Sequence, residues 1–400
     1  MSFRSIKSIP VKGKRLVVRA DLNAPCKDGV VTDATRIERF AAGLKPLLDD
    51  GARVVVLSHF GRPKGQIMPE MSLAPIVPVL AAALGRSVKF QDTCVGPEAE
   101  AAAANLNNGE VMLCENLRFH AGEEANDPAF AAQLARLGEV YVNDAFSCAH
   151  RAHASTEAIA NILPAFSGPL MDEEIGALTE ALENPKHPAV ALVGGAKVSS
   201  KIAVLKNLVS KVDYVIIGGG MANTFFFADG HDIGKSLCEK DQIDTVREVQ
   251  ALAAKAGCEL VLPSDIVYAF KFEDGARSTI ADVTECPPEG IILDAGPKSV
   301  VRFRSVLARA QTILWNGPLG AFEIRPFEQA TKQVALEAAE LTRSGLVTSV
   351  AGGGDTVAAL NIAGVAEDFT YVSSAGGAFL EWLEGKELPG IAALNRNKAA

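Results

Sequence analysis

Short runs of apolar, often β-branched residues recur along the chain. Each is followed by glycine or a polar cluster and then by a helical pattern. Runs that are apolar throughout, instead of alternating, are typical of parallel strands covered on both faces. We therefore predict an α/β protein built on parallel sheets with helices on both faces. The predicted strands are 16–19, 54–58, 111–113 and 140–143 in the first half, and 190–194, 214–218, 259–262, 312–315, 348–352 and 371–374 in the second.

Helix and domain boundaries are less evenly marked. One helix is predicted to start at an Asp127 cap with Pro128 in its first turn and to end at Gly138. A chain of 400 residues predicts two domains of about 200 residues each. Residues 165–188, with a helical stretch at 172–182 between Gly-Pro and Asn-Pro turns, are predicted to connect them.

Composition narrows the possible partners and the location. The chain is 48% hydrophobic and 22% charged, which is typical of a globular protein. A net charge of −9 disfavours nucleic acid and anionic membranes as partners, and no apolar run approaches the length of a membrane span. The basic N-terminus lacks the apolar stretch of a secretory signal, and the 7 cysteines lack CxxC spacing. We therefore expect a cytoplasmic protein with reduced thiols.

Basic residues follow the predicted strands of the first half, at the end of a parallel sheet where ligands bind. Asp21 and Asn23 follow the first strand, where their side chains are suited to bind a ligand hydroxyl or to orient an arginine. Guanidinium groups bind phosphate and carboxylate through paired hydrogen bonds, so their convergence predicts a small, multiply anionic ligand. The basic members of the set are Arg36, His59, Arg62, Arg118, His150, Arg151 and His153.

Some of these side chains admit a second interpretation. His150 and His153 are three residues apart and suggest metal ligands, but no third ligand has companion spacing, so hydrogen-bonding roles are favoured. His59 fits a structural role as well as a ligand-binding one. Three acidic residues are predicted to position neighbouring basic groups: Glu115, Glu123 and Glu124.

Glycines follow the predicted strands of the second half. Glycine lets backbone N–H groups approach a ligand closely, and a following helix start favours phosphate. The chain has neither a GxxxxGK[ST] loop nor a GxGxxG fingerprint. Six glycine segments after apolar strands nevertheless predict a nucleotide site. They are Gly194-Gly195-Ala196-Lys197, Gly218-Gly219-Gly220, Asp294-Ala295-Gly296-Pro297, Asn316-Gly317-Pro318, Gly352-Gly353-Gly354-Asp355-Thr356 and Gly376-Gly377.

Two lysines and an aspartate sharpen this prediction. Lys197 and Lys201 are spaced i, i+4, and we predict that both lie on one face of a helix that begins after Gly195. Lysine is unfavourable at a helix N-terminus unless an anion is bound there. Asp355 beside a phosphate-binding loop would repel its ligand unless Mg²⁺ bridges them. The alternative, compatible with this, is that Asp355 caps a helix at 357–362.

Taken together, these segments resemble the phosphoglycerate kinase family over nearly the whole chain. Any one motif alone would be weak evidence, but the ordered set is specific. The motifs are DLNAP at 21–25, LSHFGRPKG at 57–65, ENLRFHAG at 115–122, YVNDAFSCAHRAHAST at 141–156, GGAKVSSK at 194–201, GGGMANTF at 218–225, WNGPLGAFE at 315–323 and GGGDT at 352–356.

The resemblance implies a bilobal fold of two Rossmann-like domains joined by a hinge. Residues 1–168 would bind 3-phosphoglycerate, residues 169–385 would bind the Mg-nucleotide, and residues 386–400 would pack back on the first domain. The implied triose-binding residues are Asp21, Asn23, Arg36, His59, Arg62, Arg118 and Arg151. The implied nucleotide-binding residues are Lys197, Lys201, Gly219, Gly296, Asn316, Glu323, Gly353, Gly354, Asp355 and Thr356. Of these, Glu323 would hold the ribose hydroxyls and Asp355 the Mg²⁺.

The implied reaction is phosphoryl transfer between 1,3-bisphosphoglycerate with ADP and 3-phosphoglycerate with ATP, in glycolysis and gluconeogenesis, by a monomer. The acceptor carboxylate is already ionised and needs no general base, so catalysis should rest on alignment and charge stabilisation. We assign this work to Arg36, Lys197, Mg²⁺ and the N–H groups of Gly376 and Gly377. Closure about the 165–188 connector would bring the two ligands into line.

Three positions depart from the family pattern: Ala24, Ser200 and Ala375 stand where valine, aspartate and glycine are usual. We expect activity to survive these changes. Two other functions remain open. A dehydrogenase using NAD is disfavoured by the missing GxGxxG and the paired lysines, and an anion-binding protein without turnover is the second alternative.

Overall fold

The structure, a computed structural model, describes residues 4–396. The chain divides into two compact units. The first contains the described residues up to Ile175 together with those from Glu387 onward, and the second is Gly176–Lys386. Residues 1–3, and residues 397–400 of the predicted C-terminal segment, lie outside the described residues.

The first unit is built on a six-stranded parallel sheet in the order β5-β6-β4-β1-β7-β8, with a separate two-stranded hairpin, β2-β3. Its strands are β1 (Arg15–Ala20), β2 (Cys26–Lys27), β3 (Val30–Val31), β4 (Arg53–Leu57), β5 (Val88–Gln91), β6 (Val111–Cys114), β7 (Val140–Asp144) and β8 (Ala165–Ser167). Its first five helices are α1 (Thr35–Asp49), α2 (Ile76–Leu84), α3 (Pro97–Ala104), α4 (Ala121–Glu124) and α5 (Pro128–Ala135), and α6 (Pro169–Leu178) crosses into the second unit.

Alternate residues of the central strands face two separate cores. Val54 and Val56 of β4 pack into one core with Leu16 and Val18 of β1. Val55, the residue between them, packs into the other core. Because successive side chains point to opposite faces of a strand, both faces of the sheet are buried. This is why these strands are apolar throughout.

The second unit repeats this architecture with the strand order β11-β10-β9-β15-β16-β17, again all parallel. Its strands are β9 (Ala189–Val193), β10 (Tyr214–Ile217), β11 (Glu259–Val261), β12 (Asp265–Ala269), β13 (Ser278–Asp282), β14 (Ile291–Ala295), β15 (Thr312–Asn316), β16 (Thr348–Gly352) and β17 (Tyr371–Ser373). Its helices are α7 (Ile202–Leu208), α8 (Gly220–Ala228), α9 (Ile243–Ala256), α10 (Pro297–Leu307), α11 (Gln329–Arg343), α12 (Gly354–Ala363) and α13 (Gly376–Leu383).

The last helix, α14 (Pro389–Arg396), packs on the first unit. Its Ala393 and Leu394 lie in one of the two cores of that unit. Gly390 N donates to the carbonyl of Ala149 at 2.9 Å, and Arg396 lies 2.8 Å from the Glu157 carboxylate. The described part of the C-terminal segment therefore returns to the first unit.

The two parallel sheets confirm the predicted fold class, and all ten predicted strands are present to within one residue at each end. The helix at Pro128 begins as predicted, because Asp127 accepts a hydrogen bond from Ala129 N at 2.8 Å, but it ends at Ala135, before Gly138. The prediction missed the β2-β3 hairpin, β5, β8 and the antiparallel sheet β13-β12-β14. The predicted connector was drawn too early, since residues 165–167 are a strand of the first sheet.

Each parallel sheet has one place where the chain reverses its direction of winding. In the first unit, β4, β5 and β6 lie on one side of β1, whereas β7 and β8 lie on its other side. The reversal is therefore between β1 and β7. In the second unit β9 and β15 have the same relationship. Ligands of open α/β sheets bind beyond the carboxyl ends of such strand pairs. No helix among residues 4–396 combines the length and apolar character required to span a bilayer.

Candidate active site

The predicted triose-binding residues lie beyond the carboxyl ends of four neighbouring strands of the first sheet, β6, β4, β1 and β7. Asp21 and Asn23 follow β1, and Arg36 lies in the first turn of α1. His59 follows β4, Arg118 follows β6 and Arg151 follows β7. Arg62 stands exposed in the loop after His59. Parallel topology alone thus brings these positions to one edge of the sheet.

Asp21 is the acidic member of this edge and orients a cation. Its Oδ2 lies 2.7 Å from NH1 of Arg36 and accepts a hydrogen bond from Ser147 Oγ at 2.5 Å. Burial raises the pKa of Asp21, whereas Arg36, the Ser147 hydrogen bond and Arg19 lower it, and the pKa lies below its usual value. Asp21 is therefore ionised and holds the Arg36 guanidinium.

The loop after β4 is fixed by the residues around it. Asn23 Oδ1 accepts a hydrogen bond from Gly61 N at 3.0 Å, and Arg118 NH1 donates to the carbonyl of Gly61 at 2.8 Å. Asn116 accepts from Phe60 N at 3.1 Å and donates to the Phe60 carbonyl at 2.7 Å. Asn23 and Arg118 thus shape the loop that carries His59 and Arg62.

Burial lowers the pKa of three histidines of the first unit, which favours the uncharged ring. Burial lowers the pKa of His59 well below its usual value, and Arg19 lowers it further. Burial, followed by Arg118, lowers the pKa of His153 to about 4. His150 accepts a hydrogen bond at Nε2 from Arg151 at 3.1 Å, as its predicted hydrogen-bonding role requires. Among residues 4–396, no group of three or more His, Cys, Asp or Glu side chains is arranged to hold a metal ion.

The acidic residues fulfil the predicted role only in part. Glu124 lies 3.3 Å from Arg118 Nε and does position a basic group. Glu123 acts indirectly, through Ser155, whose Oγ donates to it at 2.6 Å. The prediction for Glu115 was wrong: its carboxylate accepts hydrogen bonds from Ser72 Oγ and from two backbone N–H groups, so it stabilises a loop instead.

Sequence reasoning missed Arg19, Ser147 and Ser155. Arg19 lies in β1 and is fully buried, and its Nε donates to Ser155 Oγ at 2.8 Å. The available signal was a charged residue in a strand that is otherwise apolar on both faces, where an ion is costly unless it is paired.

Three glycine-rich strand ends of the second unit enclose a cavity of about 410 Å³. It lies at the reversal between β9 and β15, with the ends of β16 and the first turn of α13 completing its wall. Its lining combines two lysines, one carboxylate and backbone amide groups, a composition that suits phosphate. The polar and glycine members of the lining are Gly194, Gly195, Lys197, Ser200, Lys201, Asn316, Gly317, Gly353, Gly354, Asp355, Thr356 and Gly376.

The predicted helix that carried both lysines was wrong. Residues 194–201 form an irregular loop, and α7 begins only at Ile202 with Lys201 as its N-cap. The loop is held by tertiary contacts: Gly194 N donates to the Asn316 carbonyl, and the carbonyl of Gly195 accepts from Met221 N. Both lysines nevertheless line the same cavity, and Lys201 Nζ donates to Asn316 Oδ1. Burial lowers the pKa of Lys201, while Asp355 opposes this.

Asp355 does not cap its helix. The N-cap of α12 is Gly353, no side chain caps that helix, and Asp355 lies exposed in its first turn. The capping interpretation was therefore wrong. Asp355 lines the 410 Å³ cavity and also a larger cavity beside it, so a carboxylate stands where the two meet.

Two predicted nucleotide-binding residues serve as the frame of the cavity. Thr356 Oγ1 accepts from Gly317 N at 2.7 Å, and Asn316 Nδ2 donates to the Gly352 carbonyl at 2.7 Å. Gly194 and Gly317 must be glycine, because a Cβ at Gly194 would lie 1.8 Å from the Pro318 carbonyl oxygen and Gly317 has a φ of +106°. The strand ends approach each other too closely for side chains.

The larger cavity, of about 600 Å³, is mainly apolar and shares Gly195, Ala196 and Pro318 with the first. The predicted residues Gly219 and Glu323 line it. Sequence reasoning missed most of its other walls, which come from the antiparallel sheet and its surroundings. They include Asn223, Lys235, Leu237, Phe272, Ile291, Ile292, Leu293, Phe322 and Ile324. An apolar cavity that opens into a phosphate-sized one suits a nucleoside joined to its phosphates.

Some predicted residues stand apart from these cavities or fit them in other ways. Among the described residues, Gly296 lines neither cavity. A Cβ atom added at Gly296 would lie 2.3 Å from the Asp265 carboxylate, so the glycine makes room for that side chain. Gly377, another of the described residues, follows Gly376 in α13 and lines neither cavity. Ala375 is buried with φ −99°, so its methyl group causes no backbone strain.

An α/β fold with arginines beyond the strand ends of one unit and a glycine-lined cavity at the strand ends of the other is typical of a nucleotide-binding phosphotransferase. The family model for phosphoglycerate kinase matches residues 6–386. The chain belongs to the phosphoglycerate kinase family. The enzyme class predicted from the sequence, a phosphotransferase with a carboxyl group as acceptor, is thereby confirmed.

Individual relatives agree over their full lengths. The chain is 55% identical over 395 residues to the phosphoglycerate kinase of Cereibacter sphaeroides, covering 98% of this chain and 100% of that one. It is 58% identical over 394 residues to that of Methylobacterium radiotolerans, covering 98% of each. The structure of phosphoglycerate kinase from Coxiella burnetii superposes with a TM-score of 0.92 at 41% identity, covering 99% of both chains.

Proposed function

We propose that the protein transfers a phosphoryl group reversibly between 1,3-bisphosphoglycerate with ADP and 3-phosphoglycerate with ATP, the glycolytic reaction of its family. The observation that carries this proposal is the 410 Å³ cavity, which joins two lysines, one carboxylate and glycine backbone at the reversal of a parallel sheet. Such a cavity suits nucleotide phosphates, and transfer to a carboxylate that is already ionised needs no general base.

The first unit is proposed to bind the triose. Arg36, Arg62, Arg118 and Arg151 supply positive charge for its phosphate and carboxylate, and Asp21 and Asn23 keep Arg36 and the His59 loop in place. His59 is uncharged and contributes a hydrogen bond instead of a charge. Since arginine stays protonated at any physiological pH, this site holds its charge where histidines would lose theirs.

The second unit is proposed to bind the Mg-nucleotide. The phosphates would occupy the smaller cavity, near Lys197 and Lys201, and the nucleoside the larger one, with Glu323 toward the ribose hydroxyls. Gly353, Gly354 and Gly219 offer backbone without side chains along this path. Thr356 and Asn316 would contribute indirectly, because their hydrogen bonds to Gly317 N and to the Gly352 carbonyl hold the strand ends in place.

One Mg²⁺ is proposed to accompany the nucleotide, held by Asp355. The donor set fits this ion, because Mg²⁺ binds typically through one or two carboxylates together with substrate phosphates and water. Asp355 is exposed at the junction of the two cavities, where phosphate oxygens can complete the set. When bound, the ion would reduce the negative charge of the phosphates.

Alignment and charge stabilisation are proposed to drive catalysis. Arg36 and Lys197 would stabilise the oxygens of the group in transit, assisted by the backbone N–H groups of Gly376 and Gly377 at the start of α13. Gly376 lines the phosphate cavity, and an added Cβ there would meet open space. The unobstructed helix start supports this role.

Because the triose and the nucleotide are proposed to bind different units, we propose that transfer requires closure about a hinge within the corrected connector, residues 168–188. Solution scattering profiles with and without both ligands test this, and identical profiles would count against it. We also propose a cytoplasmic monomer that binds neither nucleic acid nor membranes. The seven free cysteines support the cytoplasmic location, and the net charge of −9 disfavours nucleic acid and anionic membranes as partners.

A coupled assay tests the reaction. Purified protein, ATP, Mg²⁺ and 3-phosphoglycerate should yield ADP and an acyl phosphate that hydroxylamine traps. Omitting Mg²⁺ or the triose should abolish ADP formation. Binding of both ligands without ADP formation would instead indicate an anion-binding protein, and oxidation of the triose with NAD would indicate a dehydrogenase.

A further inference from the structure

Arg19 is a fully buried cation behind the triose site, on strand β1 of the first unit. Its NH2 lies 3.2 Å from Nδ1 of His59. Its NH1 donates to the carbonyl of Ala20 and its Nε to Ser155 Oγ. The Arg19 side chain therefore contacts one of the proposed ligand-binding residues from the side away from solvent.

The directions of these hydrogen bonds follow from the chemistry of arginine. A guanidinium has only donors and stays protonated, so the His59 atom that faces it must be an acceptor. In a neutral imidazole one ring nitrogen accepts and the other carries the proton. Nδ1 of His59 is thus unprotonated, and its proton resides on Nε2.

A relay of hydrogen bonds continues behind Arg19. Ser155 Oγ accepts from Arg19 and donates to Glu123 Oε1 at 2.6 Å, and Ser155 N donates to Glu123 Oε2 at 3.0 Å. Both Arg19 and Glu123 have a relative exposure of 0%. A buried cation is tolerated only when paired, and Glu123 supplies the compensating charge through one hydroxyl group.

We propose that Arg19 is a positioning residue that fixes the tautomer of His59, so that the ring presents an uncharged Nε2–H donor to the bound triose. This inference rests on the proposed function for the identity of the ligand only. The tautomer itself is a property of the protein without ligand.

The surroundings of His59 support a ring that stays neutral. The charged groups that face it are Arg19, Arg118 and Arg151, with Asp21 as the acidic one, and the Cys148 thiol lies 3.9 Å from Nδ1. Three cations oppose protonation and one carboxylate favours it, while burial penalises the charged ring. Triose binding through His59 should therefore not weaken when ordinary histidines deprotonate.

The direct test is a long-range ¹H–¹⁵N correlation spectrum of the full-length protein, which distinguishes protonated from unprotonated ring nitrogens. The signals of His59 among the six histidines are assigned by comparison with His59→Gln. We expect Nδ1 unprotonated and Nε2 protonated, unchanged from pH 6 to pH 8. A protonated Nδ1, or a His59 ring that titrates in this range, overturns the proposal.

The variant test uses Arg19→Lys, which keeps the charge but not the planar set of donors. A second variant, Arg19→Met with Glu123→Gln, removes both buried charges together. In each folded variant we expect the spectrum to show a mixture of the Nδ1-protonated and Nε2-protonated forms of His59. We also expect KM for 3-phosphoglycerate to rise on the order of tenfold, with a smaller change in kcat. An unchanged tautomer in both variants would refute the role of Arg19.

Arg53→Met serves as the matched control. Arg53 also lies on a strand of the first sheet and donates to a carbonyl, that of Gly13 at 2.9 Å, but at the opposite end of its strand from His59. It should leave the His59 signals and KM unchanged. Adding 3-phosphoglycerate to the wild type tests the proposed function independently. If His59 has the expected tautomer but its signals do not change with 3-phosphoglycerate, the proposed ligand is wrong and the role of Arg19 still holds.

Discussion

Arg36 and Asp21 form an ion pair in the first unit, with 2.7 Å between NH1 and Oδ2. Asp21 also accepts a hydrogen bond from Ser147 Oγ, so three elements of the unit meet at this carboxylate. The ion pair joins the end of β1 to the first turn of α1. We propose that the Arg36 guanidinium stabilises the oxygens of the transferred phosphoryl group. Because the ion pair already orients this guanidinium, less free energy is needed to orient it during the reaction.

Replacing Arg36 should therefore affect turnover more than binding. We expect Arg36→Ala to lower kcat by roughly 10²–10³-fold, as the loss of one donor to a developing charge does, and Lys197→Ala to act similarly. Steady-state kinetics of the coupled reaction measure this. Arg136→Ala, which removes an exposed arginine paired with Glu100, is the control and should retain full activity. An Arg36→Ala enzyme with unchanged kcat would refute the assignment.

Two glycines of the phosphate cavity should respond differently to alanine. At Gly194 the new Cβ would meet the Pro318 carbonyl oxygen at 1.8 Å, so Gly194→Ala should destabilise the protein by roughly 3 kcal/mol or more. At Gly376 the Cβ meets open space, so Gly376→Ala should unfold at the same urea concentration as the wild type. Its methyl group should instead obstruct the phosphates and lower kcat. Equal stability of both variants would contradict this account of the strand ends.

The role proposed for Asp355 predicts a changed metal requirement. Asp355→Asn should raise the Mg²⁺ concentration for half-maximal velocity about tenfold or more, because a neutral amide is a weaker ligand for a hard cation. Excess Mg²⁺ should restore part of the activity. Asp244→Asn, at a fully exposed aspartate of the same unit, is the matched control. If both variants need the same Mg²⁺ concentration as the wild type, Asp355 does not hold the ion.

Stability should depend on pH through Asp144. This carboxyl is buried at the end of β7, where it accepts a hydrogen bond from Leu170 N at 2.7 Å, and burial raises its pKa from 3.8 to about 7. The folded state thus binds more protons than the unfolded state between about pH 4 and pH 7, so the contribution of Asp144 to stability falls as pH rises through that range.

Asp144→Asn removes this titration while keeping an acceptor. Relative to the wild type, the variant should gain on the order of 2–3 kcal/mol of unfolding free energy on going from pH 5 to pH 8. Urea unfolding curves at the two pH values measure the gain. A difference between variant and wild type that is the same at both pH values would show that Asp144 does not titrate with a raised pKa.

The sequence predicted the site residues best where topology alone decides their position. Asp21, His59, Arg118 and Arg151 follow neighbouring parallel strands, and strands of that kind end at one edge of a sheet. Recognising the apolar strands was therefore enough to predict that these side chains converge. The strands themselves were recognisable because both of their faces are buried.

Two of the failures have a common physical cause, because each depends on contacts between distant parts of the chain. The spacing of Lys197 and Lys201 favours a helix locally, but the loop around Gly195 is held by Met221 and by the carbonyl of Asn316. The role of Arg19 escaped detection because its hydrogen-bond partner Ser155 is 136 residues away in the sequence. The antiparallel strands around Tyr268 escaped detection because they are partly exposed and not apolar throughout.

Hydrogen–deuterium exchange with one ligand at a time tests the central claim most directly. We predict that 3-phosphoglycerate alone protects amides in segments 58–62 and 145–153 of the first unit, and that ADP with Mg²⁺ alone protects segments 194–201 and 352–356 of the second. The assignment of triose and nucleotide to different units would be contradicted if both ligands protected the same segments, or if neither ligand protected the segments predicted for it.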